Sequence, residues 1–180
     1  MPLKKPSQYY KELKTQEEKD HYLSKLTLQN EVVLSDPYNI ERDSWKTDVM
    51  LMPDIAYPDI YSYLVETPSK FTKEGLKANK SLDAFLFFLA GHVQKVYITT
   101  LKENKDFHAI ETEVLPSQRQ GQKTKMYKVW VIVHTKGWIL SGNCTCMAGS
   151  VDSLIDMFCL LSTMHTHFYQ TLVCWIVKPV

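Results

Sequence analysis

The sequence predicts an α+β fold: short helices first, then a four-stranded antiparallel meander that ends in a Cys-x-Cys pair. Two observations carry this. Up to residue 92 the apolar residues fall in short clusters broken by prolines and by helix-capping residues, as short helices require. From Val93 onward they alternate with polar residues at the period of a strand, with polar turns between the runs. The 180 residues, 44% hydrophobic and 12% aromatic, suffice for one buried core.

Residues 1–35 form a charged lead-in in which Lys11, Lys14, Lys19 and Lys25 mix with Glu12, Glu17, Glu18 and Asp20. Tyr9, Leu13, Tyr22, Leu23 and Leu26 add apolar spots, so a marginal amphipathic helix, solvated and weakly ordered, is expected there. Residues 36–68 are rich in Asp, Pro and Tyr, and the prolines exclude a long helix. Within them Asp59 is expected to N-cap a short helix that runs to Glu66 and stops at Thr67-Pro68. Asp36, Asp43, Asp48, Asp54 and Asp59 lack the tight spacing of a metal-dependent nuclease, and capping and turn roles account for Asp beside Pro. Thr72 to Ala78 starts like a capped helix. Ser81 then caps an apolar run, Leu82 to Ala90, expected to lie buried on a sheet and too short to span a membrane.

The expected strands are Val93–Leu101, Phe107–Leu115, Tyr127–His134 and Trp138–Cys144. Lys102 to Asp106 and Thr135 to Gly137 turn two of the connections, and Pro116 to Lys125 is a basic loop. The domain spans 36–149, followed by a divergent apolar tail at 150–180 that carries Cys159, His165, His167 and Cys174. Asp152, Asp156 and the two histidines argue against a membrane span in that tail.

A net charge of +1 gives no global case for nucleic acid, membrane or acidic substrates. Four cysteines, all after residue 143, do not form a secreted disulfide framework, and no apolar leader follows the N-terminal charges. The expectation is a reducing intracellular compartment, where paired cysteines more often hold metal. Alternate residues of an extended chain point to one side, so Cys144 and Cys146 can present both sulfurs together to Zn²⁺, which takes N and S ligands tetrahedrally. Cys159 and His165 or His167 are the candidates to complete the site, with twelve residues between Cys146 and Cys159 and then five or seven before the histidine. The competing reading makes Cys159, His165, His167 and Cys174 packing residues of an amphipathic tail.

The residues also carry a resemblance. A hairpin strand running into Cys144-Thr145-Cys146-Met147-Ala148-Gly149 resembles the first half of a SWIM-type zinc finger, whose pattern continues to Cys-x-His. Asp36 to Gly149 is similar to the N-terminal region of an animal family that joins such a finger to a YqaJ-like viral-recombinase domain of exonuclease type. The carrying phrases are Asp59 to Leu64, Lys80 to Phe85, Gly91 to Tyr97, Pro116 to Arg119 and Cys144 to Gly149, in that order. The resemblance implies zinc binding, a supporting role in DNA or protein recognition, and a nuclear location. From Ser150 the sequence departs: there is no Cys-x-His and no recombinase domain, so the expectation is a product ended early through an alternative exon or a read-through intron.

Three chemistries follow for the thiols and their surroundings. Zinc binding by an interaction module without catalysis is the leading one. Its alternatives are a metal-free interaction module or residual fragment, and an accessory to a separately encoded exonuclease. Redox exchange fits poorly, because that pattern is Cys-x-x-Cys beside a βαβ unit; a cysteine nucleophile would need a base such as His134 or His165. For nucleic acid, Lys70, Lys73, Lys77 and Lys80 share one helical face, and Arg119, Lys123, Lys125 and Lys128 crowd one loop. A solvated surface is the plainer reading of both groups. Tyr127, Trp130 and Trp138 have the chemistry to stack bases, yet strand positions are ordinarily used for core packing. No small-molecule substrate is implied.

Overall fold

A capping box starts the first long helix. Thr15 Oγ1 accepts from Glu18 N at 3.1 Å while Glu18 Oε2 accepts from Thr15 N at 2.9 Å, satisfying two amides that the helix cannot pair internally. This helix, α2 (Gln16–Leu26), follows a single turn, α1 (Gln8–Glu12), whose N-cap is Ser7. The computed structural model describes Leu3 and residues 5–66, 90–115 and 126–145. In it the lead-in is not a solvated arm. Its lysines and acids mostly face water, but Tyr22 and Leu26, four residues apart on one face of α2, are 2% and 0% exposed. After α2 the chain doubles back, with Leu34 N donating to Leu26 O at 2.8 Å, and runs through short 3₁₀ turns at Pro37–Asn39 and Arg42–Ser44.

The meander is present as expected. Strands β1 (Tyr97–Thr100), β2 (Phe107–Val114), β3 (Tyr127–His134) and β4 (Ile139–Cys144) pair antiparallel in chain order. β1 is shorter than its alternating pattern suggests. Val93 makes only an isolated bridge to Val114, and regular pairing begins at Tyr97. On the outer edge of β1, Lys46 exchanges two backbone hydrogen bonds with Ile98, both 2.8 Å, which covers part of that edge. A bulge at Ile132/Val133 shifts the register by skipping Leu140, and β4 begins at Ile139, one residue later than expected.

Both sheet faces are covered. One packs Ile98, Ile110, Val114, Val129, Val131 and Val133 against Ile55 and Ile60. The other packs Ala109, Trp130 and Ile132 against Tyr22, Leu26, Leu28 and Leu34 from the lead-in. Helix α3 (Tyr57–Glu66) serves the first face. It begins three residues earlier than expected: Asp59 is not the N-cap but lies in the first turn and reaches back, its Oδ2 accepting from Ala56 N at 2.9 Å. Gly137, at φ +98°, lets the β3–β4 turn press against the Asp54 carbonyl just ahead of that helix. The expected helix over 72–78, residues 82–89 of the next expected helix, the loop 116–125 and the tail 150–180 lie outside the described residues. No helix among the described residues is long and apolar enough to cross a membrane.

Candidate metal site at the end of the last strand

The sheet delivers Cys144 as the last residue of β4, opposite Val129 of β3. The pairing runs on for another residue. Thr145 N donates to Lys128 O, and Lys128 N donates to Thr145 Oγ1, both at 2.9 Å. The strand end is therefore tied on both sides of the cysteine. Cys144 itself is 5% exposed and packs with the apolar cluster of the α3 face.

Asn143 points to the other face, 7% exposed, into a polar and aromatic patch built by the lead-in. Lys25 Nζ donates to Asn143 Oδ1 at 2.8 Å. Tyr38 Oη lies 3.1 Å from Lys128 O and 3.4 Å from Asn143 O. Tyr22 and Tyr38 stack nearly parallel at 6.5 Å, and Trp130 meets both edge-on at 6.1 Å. Beneath them lies Asp36, whose Oδ1 accepts from Tyr22 Oη at 2.8 Å and Tyr38 N at 3.1 Å, and whose Oδ2 accepts from Ser7 N at 3.2 Å. Burial, and then the Asp36 charge, push the Tyr22 phenol well above the ordinary tyrosine range. Burial does the same to Tyr38. These phenols act as neutral hydrogen-bonding groups.

Of the expected zinc ligands, Cys144 alone falls among the described residues; Cys146, Cys159, His165 and His167 lie outside them. Among the described residues no group of three or more His, Cys, Asp and Glu is arranged to hold a metal ion. The basic residues Lys70, Lys73, Lys77, Lys80, Arg119, Lys123 and Lys125 also lie outside.

His134 is not brought to Cys144. It closes the opposite end of β3, five strand residues or roughly 16 Å from Val129. There it stacks on Trp138 at 4.7 Å with Phe107 edge-on to both rings, and its Nδ1 accepts from Lys136 N at 3.1 Å. Nor does Trp130 offer a face to a base, since it is fully buried under the lead-in; of the three candidate stacking rings, Trp138 is the exposed one, at 42%.

A scan of protein-family models and searches of curated proteins and of solved structures return no match to this chain.

Proposed function

We propose that this chain is a SWIM-like zinc-binding interaction module. Its sheet is a rigid support and its Cys-x-Cys contributes thiolates to the ion. The observation that carries the reading is the placement of Cys144 as the final paired residue of β4, held by Val129 across the ladder and by the Lys128–Thr145 bonds beyond it. Zinc fixed there would tie the sheet end to whatever segment supplies the remaining ligands, the expected donors being Cys146, Cys159 and His165 or His167. We assign the module a DNA or protein partner in the nucleus and no catalytic step.

Elemental analysis of the purified chain tests this. Stoichiometric zinc that disappears in the Cys144→Ser/Cys146→Ser variant is expected, and a parent without zinc refutes it.

A second reading is favoured by one observation: the Cys144 side chain is buried in the apolar cluster that also holds its cross-strand neighbour Val129, as a core residue is. In that case the chain is a metal-free interaction module. Cys144→Ala then costs only its packing, and added zinc leaves the melting temperature unchanged.

A further inference from the structure

One row of side chains crosses the covered face of the sheet in register: Tyr97 on β1, Glu111 on β2, Trp130 on β3 and Asn143 on β4. The lead-in and the segment that follows it, through Arg42, meet each of them. Arg42 pairs with Glu111 at 3.2 Å and lies 3.8 Å over the Tyr97 ring. Tyr22 and Tyr38 enclose Trp130. Lys25 and Tyr38 take Asn143, while Ser141 Oγ donates to the Lys25 carbonyl at the last turn of α2. Both Ser141 and Asn143 are thus anchored to a segment more than a hundred residues away. Asn143 Nδ2 in turn donates to Cys144 O at 3.3 Å.

We propose that the N-terminal cover is the clamp that sets the position of the Cys144 strand end, with Lys25 and Tyr38 as its positioning residues. The cover grips the strand from the face opposite the thiol, so it acts on Cys144 through the backbone rather than by touching sulfur. β4 ends with the cysteine, and strand ends fray first unless something fixes them. Here the charge-assisted bond from the half-buried Lys25 ammonium to a buried amide oxygen is the strongest restraint next to the cysteine. The functional meaning of the clamp rests on Cys144 as a zinc ligand: a thiolate held in one place costs less to order when the ion binds. The mechanical claim does not depend on zinc.

The test uses the full chain with Cys146, Cys159 and Cys174 replaced by Ser. Cys144 is then the one thiol and a four-ligand site cannot close. The rate of reaction of Cys144 with Ellman's reagent reports opening of the strand end. Losing a charge-assisted bond in Lys25→Met, or the phenol in Tyr38→Phe, is expected to raise that rate about tenfold. Lys25→Arg should restore it to within about twofold, because the guanidinium can still donate. Arg42→Met removes a comparable contact at the far end of the row and should leave the rate within about twofold of the parent, even as it lowers the melting temperature. The proposal is overturned if Lys25→Met and Tyr38→Phe label no faster than the parent, or if Arg42→Met labels as fast as they do. Zinc analysis of the parent chain decides the metal reading separately, so the two ideas fail by different results.

Discussion

Replacing Asp36 with Ala should nearly unfold this protein, although Asp36 belongs to no regular helix or strand. The carboxylate is 3% exposed and accepts three hydrogen bonds, from Ser7 N, Tyr22 Oη and Tyr38 N. Ser7 and Tyr22 are themselves buried, so in Asp36→Ala two of the three donors lose their partner without gaining water. Each such orphan costs about 1–3 kcal/mol, so the substitution should cost about 3–5 kcal/mol. Domains of this size have only about 5–15 kcal/mol in total. Tyr22→Phe is milder. It removes one bond to a charged acceptor that keeps its two backbone donors, and should cost about 1.5–2 kcal/mol. Because the two residues share that bond, the double variant should be less destabilised than the sum of the singles by about 1–2 kcal/mol. Urea unfolding followed by tryptophan fluorescence measures all of this, since Trp130 lies against both Tyr22 and Tyr38. If Asp36→Ala costs less than about 1 kcal/mol at an unchanged m-value, the lead-in is not part of the cooperative unit and the reasoning fails.

Two further predictions concern the sheet and its turn. Burial raises the Glu111 carboxyl above the ordinary carboxylate range, against the smaller opposing effects of Lys128 and Arg42. Between the unfolded value and the raised one, the folded state keeps a proton that the unfolded state has lost, so stability should fall as pH rises through that window. Glu111→Gln, which cannot titrate, should flatten this dependence in urea midpoints taken across about pH 4 to 7; identical slopes for parent and variant would refute the assignment. Gly137→Ala places a side chain at φ +98° and drives its Cβ into the Asp54 carbonyl. The backbone conformation alone costs about 1–2 kcal/mol and the overlap adds to it. A loss of at least about 2 kcal/mol is expected in the urea midpoint, and a change under about 0.5 kcal/mol would show that the turn can relax away from Asp54.

The meander was legible because short runs rich in β-branched, apolar and aromatic residues are separated by polar turns, as strands of a sheet are. What the pattern hides is that both faces are covered. Glu111, Thr112 and Asn143 look like solvent positions by residue type, yet all three are buried. The packing role of the lead-in is hidden for a related reason. Its balanced Lys and Glu residues dominate the composition, while its anchoring face rests on Tyr22 and Leu26. The signal was present: Thr15-x-x-Glu18 is a capping box, and Tyr22 and Leu26 sit four residues apart within the helix it starts. Asp36 was half legible. Its cap of the Pro37 turn is local, whereas the bonds to Ser7 and Tyr22 span 29 and 14 residues and leave no trace in spacing. At the candidate site, the strand end carrying Cys144 followed from the alternation. Any distant donors to that thiol could not be read from spacing, because zinc would impose geometry and not sequence separation.

A unit starting at residue 36 would be physically incomplete. The apolar rows of an antiparallel sheet need a cover on each face, and on the Trp130 face that cover is Tyr22, Leu26, Leu28 and Leu34. Without them, Ala109, Trp130 and Ile132 lose most of the surface that excludes water, and Asn143 loses the lysine that holds it. The charged lead-in therefore combines two roles that its composition separates: it completes the core, and it fixes the strand end next to Cys144. The structural unit that positions the Cys144 strand end begins earlier than Asp36, at Ser7, whose amide is the first to bond that carboxylate.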